Sequence, residues 1–160
     1  MNQTGTYVKI LRESLERKKR YLEEMLALTN KQAEYAAAET FDEAAFSELV
    51  DKKEVLIGNI NEGDKGFASV YERVKQEIQA DPASYREDLQ AIQSLIRQCV
   101  DLGMQIEAVE ERNRAAMEQV FAAKFQGVRQ IKQSKTVASK YYKSMANGMV
   151  NDSLLYDRKK

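Results

Sequence analysis

The sequence contains no histidine and no tryptophan, and Cys99 and Pro82 are its single cysteine and single proline. Without histidine a chain cannot build a Ser-His-Asp triad, a Cys-His pair or an HExxH zinc site, and one cysteine cannot form a CxxC motif or an intrachain disulfide. The glycines also lack the Gly-Lys-Ser/Thr ending of a phosphate-binding loop. The sequence therefore predicts a protein that is not an enzyme and that holds no metal ion or other cofactor.

Long apolar runs and an excess of one charge are missing as well. No stretch approaches the roughly 18 uncharged apolar residues of a membrane span, and residues 1–9 do not resemble a secretion signal. Basic and acidic residues number 25 each, which argues against binding of nucleic acid through overall charge. A content of 43% hydrophobic and 31% charged residues is instead typical of long amphipathic helices. We expect an all-α protein in the cytoplasm.

Seam residues recur at alternating intervals of three and four in three long segments, which is the period of a coiled coil. This pattern predicts helices at about 6–38, 42–79 and 84–133, of which the last would be about 75 Å long. Short connections make such helices alternate in direction, so residues 1–133 should form an elongated antiparallel three-helix bundle or coiled coil. The predicted seams are Leu11, Leu15, Lys18, Leu22, Met25 and Thr29; Phe46, Leu49, Lys53, Leu56, Ile60, Gly63, Phe67, Val70 and Val74; and Ile92, Leu95, Cys99, Leu102, Ile106, Val109, Asn113, Ala116, Val120 and Ala123.

Local signals indicate where the helices begin and end. Thr40 with Glu43, and Ser84 with Glu87, have the spacing of a capping box, in which two side chains satisfy the free amides at a helix start. Pro82 should end the second helix, because the residue before a proline avoids the α region. The glycines between residues 58 and 66 each cost about 1 kcal/mol in a helix interior. The seam nevertheless continues across them, and we expect an uninterrupted second helix.

Four residues on or near the seams require an interpretation of their own. Lys18 is expected to pack its aliphatic stem while its ammonium reaches water, and Cys99 is expected to be a buried structural thiol. Asn113 is interpreted as a satisfied core amide that fixes the helix register, with a register lock in a dimer as the alternative. Glu110 belongs to a group of carboxylates that we expect on a solvated ion-pair face.

The C-terminal part differs from the rest in charge. Residues 124–160 contain nine basic and two acidic residues, so residues 1–123 carry a formal charge of −7. A helix beyond Ser134 would place Val137, Tyr141, Met145 and Met149 on one apolar face. Such a tail either folds back onto the bundle or folds onto a partner protein, and composition leaves both possibilities open.

Two motifs resemble the FlgN-type flagellar export chaperones. Residues 49–57 are similar to the pattern Leu-x-x-x-Lys-x-x-Leu-Ile of the family's second helix, through Leu49, Lys53, Leu56 and Ile57. Residues 154–160 are similar to the family's aromatic-Asp-Lys-Lys terminus. The order of long helices followed by a tail also fits the family.

The resemblance implies a cytoplasmic secretion chaperone without ATPase activity. Such a chaperone keeps hook-associated proteins, which form the hook-filament junction, soluble and unassembled, and delivers them to the flagellar type III export apparatus. The family binds the helical terminal segments of its clients, and the C-terminal part of the chaperone is implicated in that binding. On this sequence the client-binding segment is therefore 134–160, and its binding residues are Val137, Tyr141, Tyr142, Met145, Met149, Leu154, Leu155 and Tyr156.

Two other functions are compatible with parts of the sequence. A coiled-coil scaffold or homodimeric adaptor would turn the seam between Leu95 and Val120 toward another copy. A nucleic-acid-binding arm would use the lysines of the tail on phosphates and Tyr141 and Tyr142 on bases, although no recognised nucleic-acid module accompanies it.

Overall fold

The computed structural model describes residues 2–124, which fold into three long helices. These are α1 (Gln3–Ala37), α2 (Glu43–Ala80) and α3 (Arg86–Lys124), with a single 3-10 turn at Pro82–Tyr85 between the last two. The expected all-α class and the three-helix architecture are confirmed. The predicted tail, 134–160, lies outside the described residues.

The direction of α2 follows from two polar contacts with α1. Lys18, in the first half of α1, lies 2.9 Å from Asp64 in the second half of α2. Gln32, near the end of α1, accepts a hydrogen bond from Lys53, near the start of α2. The two helices therefore run antiparallel.

Contacts between α1 and α3 show that these helices run parallel. The thiol of Cys99 lies 4.0 Å from the carbonyl oxygen of Leu15, and the side-chain amide of Asn113 donates to the carbonyl oxygen of Thr29 at 3.0 Å. The helices thus alternate in direction as predicted, and α1 packs extensively against both of the others. With 39 residues, α3 is about 58 Å long, so the bundle is elongated.

Three apolar clusters follow one another along the bundle. The first cluster lies at the start of α1 and the second at its middle. The third lies at the end of the bundle where α1 leads into α2. Their buried members are Val8, Leu11, Leu15, Phe67, Tyr71, Val74, Ile78, Ile92 and Ile96; Leu22, Met25, Leu56, Ile57, Ile60, Cys99 and Ile106; and Phe41, Met117 and Phe121.

The seam of α1 is buried as predicted, whereas that of α3 is buried only in part. In α3 the predicted Ile92, Cys99, Ile106 and Asn113 are buried, but at the other seam positions the buried residue lies one position later than expected. The predicted Leu95, Leu102, Val109, Ala116 and Val120 are only partly buried and Ala123 is exposed, whereas Ile96, Gly103, Glu110 and Met117 are buried. Gly103 and Glu110 are not large apolar residues, so a pattern of apolar residues cannot predict that they are buried. In α2, likewise, Gly63 is exposed although it was expected in the seam.

The interior glycines do not interrupt α2. The helix runs from Glu43 to Ala80 and ends directly before Asp81 and Pro82, which confirms both expectations. No described residue has a positive φ, so the glycines adopt ordinary helical geometry.

Both helix starts that were predicted from capping boxes differ in the structure. The N-cap of α2 is Asp42, whose carboxylate accepts a hydrogen bond from the amide of Ala45 at 3.0 Å, and Thr40 lies in an exposed bend before it. Ser84 is part of the 3-10 turn, where its hydroxyl donates to the carboxylate of Asp81. Asp42 displaces Thr40 as the cap because it stands immediately before the first helical residue.

Aromatic packing supports the start of α2. Phe41, which precedes the cap, packs against Phe46 with a centroid separation of 5.5 Å, in the arrangement of a hydrophobic staple. Phe41 also meets the edge of Phe121 at 6.0 Å, so the connection between α1 and α2 is anchored to the end of α3.

Replacing the cap residue should destabilise the protein measurably. We expect Asp42→Ala to lower the free energy of unfolding by about 1 kcal/mol, because the amide of Ala45 loses its acceptor. Thr40→Ala is the matched control, and we expect it to change stability by less than about 0.5 kcal/mol. Urea unfolding monitored by circular dichroism measures both. A larger loss for Thr40→Ala would contradict the assignment of Asp42 as the cap.

Candidate functional site

The residues predicted to bind a client all lie outside the described part of the chain. They are Val137, Tyr141, Tyr142, Met145, Met149, Leu154, Leu155 and Tyr156. Their assignment stays a prediction. Within residues 2–124, two features stand out as candidate sites: a groove between α1 and α2, and a layer of buried polar side chains that joins all three helices.

The groove between α1 and α2 has a volume of about 420 Å³. Its walls are mainly apolar. Ile10, which lines the groove, is 39% exposed and is among the large hydrophobic residues of the described chain that are exposed to solvent. The lining residues are Ile10, Leu11, Ser14, Arg17, Lys18 and Tyr21 from α1, and Asn59, Ile60, Glu62, Gly63, Gly66, Phe67 and Val70 from α2. The sequence patterns did not predict this groove. Its available signal was a pair of glycines, Gly63 and Gly66, three residues apart on a helix.

Lys18 lines the groove but does not reach into water as expected. Lys18 is only 6% exposed. Its ammonium lies 2.9 Å from Oδ1 of Asp64, and the side chain of Asp64 is 12% exposed. The other carboxylate oxygen of Asp64 is buried without a hydrogen-bond partner. Burial raises the pKa of Asp64, while the charge and hydrogen bond of Lys18 act to lower it. The prediction of a solvated ammonium was wrong because a buried carboxylate faces it.

A buried polar layer crosses the bundle between the second and third apolar clusters. The ammonium of Lys53 donates to Gln32 and to Glu110, and the hydroxyl of Thr29 lies 3.2 Å from the same oxygen of Glu110. The hydroxyl of Thr29 also donates to the carbonyl oxygen of Met25 at 2.7 Å. Thr29 and Gln32 belong to α1, Lys53 to α2 and Glu110 to α3, so this network connects the three helices.

The network corrects one expectation and confirms another. Glu110 is 8% exposed and paired with Lys53, so it does not lie on a solvated face. Asn113 is 6% exposed and donates to the carbonyl oxygen of Thr29, which confirms the satisfied core amide. Lys53 is 3% exposed, and its burial lowers its pKa, although the carboxylate of Glu110 acts in the opposite direction. Hydrogen bonds and opposite charges compensate for the desolvation of this layer.

The motif of residues 49–57 has a structural role in this layer. Its four defining residues, Leu49, Lys53, Leu56 and Ile57, are all buried, with exposures between 3% and 8%. The motif therefore places one face of α2 against α1 and α3. These four residues do not form a binding surface.

Cys99, the single cysteine, lies inside the bundle. Cys99 is 1% exposed, which confirms the buried thiol. Among residues 2–124, no three cysteine, aspartate or glutamate side chains come together as a potential metal site. In the same range, no helix has the length and hydropathy needed to cross a membrane.

These features define a helical-bundle protein with an apolar groove along its first two helices. A family model described as FlgN protein matches residues 1–147. The chain therefore belongs to the FlgN family, a family of chaperones that act in flagellum assembly and export. Comparison with curated proteins found no match, and comparison with solved structures found none either.

The family match extends beyond the described helices. It includes Val137, Tyr141, Tyr142 and Met145 among the predicted client-binding residues. Met149, Leu154, Leu155 and Tyr156 lie beyond it, together with the terminal motif at 154–160. Family membership thus rests on the bundle and the first part of the tail.

Proposed function

We propose that this chain is a cytoplasmic chaperone that binds hook-associated proteins of the hook-filament junction. It keeps these clients soluble and unassembled and delivers them for type III export, without catalysing a reaction. The observation that carries this proposal is the FlgN family match over residues 1–147. Contacts with components of the export apparatus would accompany delivery.

We further propose that the tail, 134–160, binds the C-terminal helical segments of the clients. A helix over the first part of this segment would carry Val137, Tyr141, Met145 and Met149 on one face. Methionine and tyrosine provide large, adaptable contacts, and such a stripe would cover the apolar face of a client helix that otherwise aggregates. Tyr142, Leu154, Leu155 and Tyr156 extend this apolar surface.

A titration of full-length variants tests the proposal. Tyr141→Ala, Met145→Ala and Met149→Ala, combined in one chain, should weaken binding of a C-terminal hook-associated peptide about 10- to 100-fold, because each truncates a large apolar contact. The matched control combines Ser139→Ala and Asn147→Ala in the same segment and should bind within about twofold of the unaltered chain. Isothermal titration calorimetry measures all three affinities.

The other outcomes test the identity of the client and the location of the binding site separately. Equal binding by the unaltered chain and the triple variant would keep the client and overturn the site. Absence of binding by the unaltered chain would overturn the client. In a second test, a chain ending at Gln133 should lose binding and remain folded, and unfolding of that chain would instead assign the tail a structural role.

A further inference from the structure

Three glycines of α2 serve no purpose in the packing of the described chain. Gly58, Gly63 and Gly66 all lie inside the helix, where each costs about 1 kcal/mol relative to alanine. None has a positive φ. A Cβ atom added at any of the three would meet no atom within 4 Å. Neither backbone conformation nor a close internal contact therefore requires glycine at these positions.

Two of these glycines open the groove between α1 and α2. Gly63 and Gly66 line it, and Gly58 does not. With no side chain at either position, the backbone of another helix can approach α2 closely and contact the apolar walls beside the glycines. From Asn59 to Val70 the lined part of α2 spans about 17 Å, which is three turns of a docked helix.

We propose that this groove is occupied by the chain's own residues 137–149 when no client is bound. In helical form these residues would span about 18 Å, which matches the length of the groove. Their apolar residues recur at intervals of four, as required of a helix that lays one face into a groove.

The position of the last described residues of α3 allows this docking. Phe121 contacts Phe41, so the described part of α3 reaches the level where α2 begins. The nearest lining residue of α2, Asn59, lies 16 residues into the helix from Glu43, about 24 Å along its axis. Residues 125–136 can span up to about 40 Å when extended. The segment reaches the groove within one molecule when these residues leave the helix that the sequence pattern continues to 133.

Charge also favours contact between the two parts of the chain. Residues 2–124 contain 23 acidic and 17 basic residues, and residues 125–160 contain two acidic and eight basic residues. The formal charges are thus −6 and +6. Opposite charges of this size steer the tail toward the bundle, and linkage in one chain raises its effective concentration.

Docking would regulate client binding by the proposed chaperone. This regulatory role rests on the proposed function, whereas the docking itself does not. Tyr141, Met145 and Met149 would be covered in the groove and would have to leave it before binding a client. A tenfold excess of the docked form would weaken client binding about tenfold.

The test uses chains that carry a nitroxide label at Asn147→Cys, a position outside the apolar face of the segment. The native Cys99 is 1% exposed and is protected from labelling. Docking predicts that the NMR amide signals of Asn59, Gly63 and Val70 lose most of their intensity to paramagnetic broadening. Gly66→Leu, which fills the groove, should restore those signals, whereas the matched control Gly58→Leu should leave them broadened. Thermal unfolding of both variants verifies that the bundle stays folded.

Four results would overturn the proposal. The first three are no broadening in the groove, broadening centred on another surface, and broadening that Gly66→Leu does not reduce. The fourth is broadening in a mixture of isotope-labelled chains with separate nitroxide-labelled chains, because it identifies a second copy as the occupant. Because no client is present, these outcomes are independent of the client titration, and either proposal can fail while the other stands.

Discussion

Replacing Lys53 with methionine should lower the free energy of unfolding by about 3–5 kcal/mol. The ammonium of Lys53 is the counter-charge of Glu110 in the buried layer, and the residues are 3% and 8% exposed. Methionine fills a similar volume but leaves the carboxylate desolvated without that charge. Chemical denaturation monitored by far-UV circular dichroism measures the loss.

A double variant distinguishes the effect of leaving Glu110 without its counter-charge from the effect of removing lysine. Lys53→Met combined with Glu110→Leu removes both charges, so we expect it to be more stable than Lys53→Met. It should not fully regain the original stability, because the amide of Gln32 has lost its donor.

The neighbouring lysine provides a control for this prediction. Lys52 lies 3.6 Å from Glu48, and both side chains are more than half exposed. Lys52→Met should therefore change stability by less than about 1 kcal/mol. Equal losses for Lys52→Met and Lys53→Met would contradict the buried ion pair.

The dependence of stability on pH offers an independent readout. Burial lowers the pKa of Lys53 in the folded chain from the ordinary value of 10.5. Between the lowered pKa and 10.5 the unfolded chain binds more protons at this position, so its contribution to stability increases as the pH rises. This increase should disappear in Lys53→Met.

Sequence patterns were sufficient to predict the architecture because α1 has a clear apolar stripe. Leu11, Leu15, Leu22 and Met25 alternate at intervals of three and four, and all are buried. Pro82 marks the end of α2 by a local steric rule that needs no tertiary information. Features determined by a helix's own residues were thus accessible from sequence.

Pairing between distant polar residues was not accessible in this way. Lys18 and Lys53 both occupy seam positions, and the sequence offers 25 carboxylates as partners for them. Which carboxylate is buried opposite each lysine depends on how far one helix is displaced along another, and no local pattern specifies that displacement. For the same reason Glu110 was assigned to the solvent.

The candidate groove was missed for a related reason. Gly63 and Gly66 were treated as weak points of a helix, because propensity describes a glycine only by its cost. The two glycines also leave a surface without side chains beside apolar walls. This surface becomes a groove only when α1 lies next to α2. The motif of residues 49–57 resembles the family through residues that are buried, and it therefore could not indicate where a partner binds.

A comparison of Ile96 with Leu95 tests the displaced seam of α3. Ile96 is 0% exposed and belongs to the first apolar cluster, whereas Leu95 is only partly buried beside it. Ile96→Ala should lower the free energy of unfolding by about 2–5 kcal/mol, because it leaves a cavity among Val8, Leu11 and their neighbours. Leu95→Ala should cost about 1–2 kcal/mol, since water already reaches part of its side chain. Urea titrations of both variants measure the difference.

The pair is informative because the two substitutions are nearly matched in chemistry. Each removes three carbon atoms from a neighbouring position of the same helix, so differences in helix propensity between leucine and isoleucine are small compared with the expected effect. A seam through Leu95 would reverse the order and make Leu95→Ala the more destabilising change. That result would require α3 to be rotated by about 50°, and would withdraw Glu110 from the buried layer as well. The same two titrations thus test the core packing and the placement of the polar network.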